Sequence, residues 1–143
     1  MKTIEQVLRS HTGAVITVSP RESVHHSLQL MAEHEVGALL VMERGKLVGI
    51  VSERDYARKI ALRGRRAEET QVQEIMTHRV VCASLRTTVE EAMAIMSEHH
   101  VRHVPVLDDY KDVVGVVSMR DLVQETIAEQ TFVIQQLESY IAT

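Results

Sequence analysis

The chain has 143 residues, 45% of them apolar and only 3% aromatic, room for one domain or for two small halves sharing a core. Trp is absent and Phe132 is the single Phe, so the interior must be aliphatic and a bound flat ring would rest on branched aliphatic walls. Net charge is −4 with acids and bases interspersed, which argues against nucleic acid or an anionic membrane as the main partner, since both are held by a dominant basic surface.

In chain order, the leading residues MKTIEQVLRSHTG hold no apolar run of signal-peptide length, and Ile4, Val7 and Leu8 are spaced for a short helix. Residues 15–18 form a short extended stretch that turns at Ser19-Pro20. Val24, Leu28 and Met31 then recur at i, i+4 and i+7, a helical stripe. Two apolar, β-branched runs follow, ALLVM (38–42) and LVGIV (47–51), joined by Glu43-Arg44-Gly45-Lys46 and read as a hairpin. A second helix begins near Arg54. Arg63-Gly64-Arg65-Arg66 is the densest basic run, but Glu68 and Glu69 follow at once, which suits a solvated linker better than a polyanion patch.

The same series is then spelled again. After Ile75-Met76-Thr77 comes an extended stretch (80–83) turning at Ser84-Leu85, then a helix with Val89, Ala92, Met93 and Met96 on one face. Thr87 and Thr88 stand three residues before Glu90 and Glu91, which is capping-box spacing. A hairpin follows, HVPVL (103–107) and VVGVV (113–117), joined by residues 108–112; Pro105 cannot donate to a ladder and is expected at an edge or a strand start. Cys82 is the lone cysteine, so no intrachain disulfide is possible and a reducing compartment is the simplest setting. An offset of 65 lays residues 15–44 on 80–109, and an offset of 66 lays 46–55 on 112–121. About fifteen of some forty pairs are identical, against roughly two or three by chance, so the chain carries an internal duplication.

The expected class is α+β: two pseudo-symmetric βαββα repeats packed through their sheets, plus a C-terminal helix. Repeat 1 covers about residues 15–62, a linker 63–74, repeat 2 about 75–128, and the final helix runs to about 142. One unit alone leaves an apolar sheet face uncovered, which a second can cover. In the last helix Val123, Ile127, Gln130, Ile134, Leu137 and Ile141 alternate steps of four and three, heptad spacing over fewer than three heptads. That helix could lie on its own subunit or complete a homodimer interface. No run nears the ~20 apolar residues that span a bilayer, and a soluble, cytoplasmic protein is expected.

Chemistry concentrates where the duplication is closest, in LVGIVSERDYARKI from Leu47 and VVGVVSMRDLVQET from Val113. Ser52 precedes Asp55 by three residues at a strand-to-helix junction, as Ser118 precedes Asp121. A serine N-cap with an acid in the first turn stabilises a helix by ~1 kcal/mol with no ligand involved. Yet Arg54 and Arg120 precede the aspartates in both copies, and a surface cap needs no Arg. Gly49 and Gly115 sit inside the preceding strands, where Gly often permits close approach of another group. Free helix N–H groups beside Ser and Arg suit phosphate, and a carboxylate in reach could accept both hydroxyls of a ribose. Together these parts suit a nucleotide.

On these residues the chain resembles a pair of cystathionine-β-synthase (CBS) domains: the duplicated unit, the hairpins ending in GIVSERD and GVVSMRD, and the EIMT leading to the second copy. The resemblance covers about residues 15–123, and SERDYARK, the GRR linker and the last helix resemble the small stand-alone bacterial members, which have no enzyme domain attached. It implies a cleft between the repeats with two sites for adenosine-containing ligands: AMP, ADP, ATP, NAD(H) or S-adenosylmethionine. Asp55 and Asp121 would hold ribose hydroxyls, with Ser52, Arg54, Ser118 and Arg120 near ribose or phosphate. The first strands (Ile16, Thr17, Val18; Val81, Cys82, Ala83) and the loops entering the hairpins (Gly37, Ala38; Val101, Val104) would flank adenine. It further implies a homodimeric, non-catalytic sensor of adenine nucleotides, with no catalytic cofactor, that signals to a regulated protein the sequence does not name. Where the first repeat has Val36-Gly37-Ala38, the second has Val101-Arg102-His103. In the family this loop often meets phosphate held by the opposite repeat, which implies a charged site of Ser52, Arg54 and Asp55 with Arg102 and His103. The site around Asp121 would then offer room but no charge.

Two other readings compete. For an enzyme, His99, His100 and His103 form an HHxxH cluster, but a strand beginning by His103 breaks the helical face, and no nearby carboxylate or Cys completes a metal set. No Ser-His-Asp spacing stands out, and His25-His26 are expected to face solvent. The other is a ligand-independent dimeric interaction module.

Overall fold

The computed structural model describes residues 2–10 and 15–142. The first helix, α1 (Ile4–Ser10), buries Ile4 and Val7 and half-buries Leu8, as their spacing requires. The first repeat runs β1 (Thr17–Val18), α2 (Val24–His34), β2 (Ala38–Glu43), β3 (Lys46–Ser52) and α3 (Glu53–Tyr56), which continues into a π-helical turn at Ala57–Ala61. Ser23 caps α2 by accepting from the His26 N–H at 3.0 Å, and Val24 and Met31 turn into the core. β1 lies parallel to β2, and β2 antiparallel to β3, in the order β1-β2-β3. The hairpin turn is Arg44-Gly45, both at positive φ (52° and 76°), the handedness that matches the twist of the flanking strands.

The second repeat repeats this plan with β4 (Ala83–Ser84), α4 (Val89–His99), β5 (His103–Leu107), β6 (Val113–Ser118) and α5 (Met119–Ala142). The sheet order is β4-β5-β6, and the ladder irregularities at Val41/Met42 and Val106/Leu107 fall on equivalent residues. Thr88 caps α4 by accepting from the Glu91 N–H at 3.1 Å, while Thr87 serves the preceding turn by accepting from the Ser84 N–H. Pro105 sits in mid-strand, but β4 pairs only with Val106 and Leu107, so Pro105 lies on a locally open edge. In the first repeat the equivalent Leu40 N–H donates to the Ile16 carbonyl at 3.3 Å, the bond that proline lacks. The expected α+β class, two repeats and a C-terminal helix, is what the chain has. That helix starts directly at the end of β6, and residues 127–141 are all exposed.

The segment that closes each sheet comes from the other copy's leader. Residues up to 10 and those from 81 onward form one compact unit; residues 15–80 form the other. In the first repeat the Val24 N–H donates to the Thr70 carbonyl and the Val72 N–H to the Glu22 carbonyl, both at 2.8 Å. The second repeat has the same pair, Val89 N–H to Lys2 carbonyl (3.0 Å) and Ile4 N–H to Thr87 carbonyl (2.8 Å). Val72, Ile75 and Met76, on and after the short 3₁₀ turn Val72–Glu74, thus complete the first core, and Ile4, Val7 and Leu8 the second. Each fully buried aliphatic of this kind contributes ~1.5–3 kcal/mol. Residues 67–77, which in sequence lead toward the second copy, therefore finish the first. The basic run beside them is answered locally, with Arg65 on Glu74 at 2.8 Å and Arg66 within 4 Å of Glu68 and Glu69.

Candidate functional site

Each repeat brings its loop before the hairpin onto its strand-to-helix junction. The Glu53 N–H donates to the Gly37 carbonyl at 3.0 Å, and the Met119 N–H donates to the Arg102 carbonyl at 2.9 Å. In register, Ala38 lies opposite Ser52 and His103 opposite Ser118. Gly37, Ala38, Ser52 and Asp55 therefore gather in one unit, and Arg102, His103, Ser118 and Asp121 in the other. Arg54 and Arg120 stand on the exposed side of the first turn.

Both serines cap, and both aspartates answer them. The Asp55 N–H donates to Ser52 Oγ (3.2 Å), while Asp55 Oδ2 accepts from the Ser52 N–H (3.0 Å) and hydroxyl (3.1 Å). Asp121 donates its N–H to Ser118 Oγ (3.1 Å) and accepts the Ser118 N–H on Oδ2 (3.0 Å). The capping role weighed from sequence is thus real, and it engages one oxygen of each carboxylate. The other oxygen differs between copies. Asp55 Oδ1 faces Lys59 Nζ at 3.2 Å, and the same ammonium donates to the Ile75 carbonyl at 2.7 Å. The residue in Lys59's place after Asp121 is Glu125, which pairs with Lys2 at 2.7 Å. Among the described residues no cation pairs with Asp121.

Other expected contacts divide by burial. Val18, Ala83 and Val104 spend their side chains on the cores and can offer a ligand only backbone. Ile16, Val81, Cys82 and Val101 are half-buried, and Thr17 is exposed. Gly49 and Gly115 do admit close approach, but of the chain itself. A Cβ on Gly49 would meet Met76 Sδ at 2.6 Å and the Thr77 carbonyl at 3.0 Å; one on Gly115 would meet Leu8 Cδ2 at 2.8 Å. These glycines make way for the leaders, so they add nothing to the case for a nucleotide. Lys59 and Lys2 escaped sequence reading; only the i, i+4 spacing of Asp55 and Lys59 hints at the first.

The α4 helix ends at His99, His100 takes a left-handed φ of 55°, and His103 opens β5, so the three histidines share no helical face. Among the described residues no three His, Cys, Asp or Glu side chains gather to hold a metal ion. Burial pushes the Cys82 thiol above its ordinary value, away from the thiolate a nucleophile needs. No described helix is long and apolar enough to cross a membrane. In the second unit Glu90, Thr126, Glu129, Gln130, Val133 and Ile134 line a groove of about 450 Å³ between α4 and α5.

Two copies of a three-stranded sheet with flanking helices, each ending in a Ser-x-Arg-Asp junction, define a CBS pair. The chain belongs to the CBS domain family, whose model matches residues 4–62 and 72–127. It is 35% identical to the mitochondrial CBS domain-containing protein CBSX3 of Arabidopsis thaliana, over 97% of this chain and 71% of that protein. Among solved structures it resembles a protein with CBS domains from Burkholderia ambifaria, at 41% identity and TM-score 0.87, over 90% of this chain and 96% of that one. It also resembles the CBS domain pair of protein MJ0100 in complex with 5′-methylthioadenosine and S-adenosyl-L-methionine, at 26% identity and TM-score 0.79, over 90% and 98% of the two chains.

Proposed function

We propose that this chain is a non-catalytic regulatory module that binds an adenosine-containing ligand (AMP, ADP, ATP, NAD(H) or S-adenosylmethionine) and passes its occupancy to a partner protein. The observation that carries this reading is the duplicated junction. Each copy holds a carboxylate in a fixed orientation beside an exposed Arg, with small or cationic loop residues tied to the same helix start. An aspartate of the duplicated junction takes the ribose hydroxyls; Arg54, Arg102, His103 and Arg120 are the candidates for phosphate or other charged groups; and Ile16, Thr17, Gly37, Ala38, Val81, Cys82 and Val101 are the candidates to flank the base. The adenosine compounds bound by the MJ0100 pair support the ligand class. A thermal-shift panel of these ligands tests it. A ligand at 100 times its Kd adds ~2.7 kcal/mol, roughly 5–10 °C at this chain length.

A second reading, a homodimer working as a ligand-independent interaction module, is favoured by the apolar seam that α5 exposes at Ile127, Ile134, Leu137 and Ile141. A melting point unchanged across the panel, in a chain that self-associates, selects this reading over the first.

A further inference from the structure

The two copies of the junction differ in how much acceptor capacity their aspartates keep. A carboxylate offers about four lone-pair positions, and a ribose diol needs two of them. At Asp55 three positions are in use, by the Ser52 N–H, the Ser52 hydroxyl and Lys59. At Asp121 one is in use among the described residues, by the Ser118 N–H.

Lys59 is not a loose surface cation. Its side chain is 36% exposed, its partner carboxylate only 14%, and the Ile75 carbonyl holds the ammonium from a second side. Ile75 itself is buried with the leader that closes this unit. Moving Lys59 off Asp55 breaks a partly desolvated ion pair and, if the whole side chain swings, a charge-assisted hydrogen bond as well. The π-helical turn Ala57–Ala61 carries Lys59, and such turns often mark functional positions. In the second copy Glu125 stands at this place and pairs with Lys2 at 2.7 Å.

We infer that Lys59 is a resident counter-ion that occupies the carboxylate edge a ribose would grip at Asp55, so that nucleoside binds at Asp121 and the first copy stays shut. This reverses the order implied by the charges of Arg102 and His103 alone, and it rests on the adenosine-binding reading above. Lys59 is thus the residue that sets one site rather than two.

Isothermal titration of the full chain with adenosine tests this, since a ligand without phosphate removes the arginines from the comparison. The wild type takes up one equivalent per chain, and Asp121→Asn weakens that binding roughly tenfold or more. Lys59→Met brings a second equivalent, which Lys59→Met with Asp55→Asn removes again; Lys59→Gln serves if the methionine variant is poorly folded. Two equivalents of similar affinity in the wild type overturn the inference and leave adenosine binding intact. So does a stoichiometry of one that survives Asp121→Asn. No adenosine uptake by wild type or any variant overturns the inference as well, and leaves the wider ligand class to the thermal-shift panel.

Discussion

Gly49 and Gly115 show how far a residue type can be read and where the reading stops. From sequence, a glycine inside a strand announces that something approaches closely, and something does: Met76 in one unit and Leu8 in the other. The identity of the neighbour was not legible, because both contacts cross to a leader rather than to a residue in the strand's own hairpin. The two sites differ in what can yield. At Gly49 an added Cβ meets the backbone carbonyl of Thr77 as well as a methionine tip, whereas at Gly115 it meets only the leucine's side-chain end. Gly49→Ala should therefore lower stability by about 1–3 kcal/mol, the usual range for overpacking, and Gly115→Ala by less. Chemical denaturation of the two variants checks this, and the reverse order would refute it. Lys59 was hidden for a similar reason. Its bond to Asp55 is local, but the carbonyl that fixes it lies 16 residues on.

Strands and helices were the most legible elements, since each repeat sets short continuous apolar, β-branched runs beside helical stripes with a period near 3.6. Both hairpins, both capped helices and the heptad spacing of α5 follow from local pattern. What pattern could not give is how α5 is used. Its beginning is anchored, with Leu122 buried and Glu125 tied to Lys2, but from residue 127 to 141 every residue is exposed. The exposed stripe places Ile127, Ile134 and Ile141 at one seam position and Gln130 and Leu137 at the other. That arrangement, with branched side chains at the first and Leu at the second, suits two parallel strands. After Arg120 every charged residue of α5 is acidic, and Glu125, Glu129 and Glu138 all lie off the seam. On the interaction-module reading, Ile134→Glu abolishes self-association without shifting the melting of the monomeric repeats, and a wild type that is monomeric refutes that reading. Sedimentation velocity and circular dichroism, run together, measure both effects.

The duplication itself was plain from self-comparison, yet the exchange of leaders was not. Leu8 and Met76, which perform the same task, stand 68 residues apart, whereas the strands that follow are offset by 65. A self-alignment anchored on the strands therefore slides past the leaders, whose similarity (Ile4, Val7 and Leu8 against Val72, Ile75 and Met76) appears only at an offset of 68 and without an identical residue. The matching hydrogen bonds at Thr70 and Lys2 establish the equivalence at that same offset. It follows that residues 15–80 should fold alone with a cooperative melt, whereas residues 1–62, the first repeat with its own leader, should not. The shorter piece loses Val72, Ile75 and Met76 from its core, at ~1.5–3 kcal/mol each. Circular dichroism melts of the two peptides decide the matter. The exchange also speaks to origin. A primordial polypeptide half this long would have been unfinished on its own and whole only as a reciprocal couple, each member lending its front end to the other. Joining two such genes head to tail would have made that loan permanent within a single molecule.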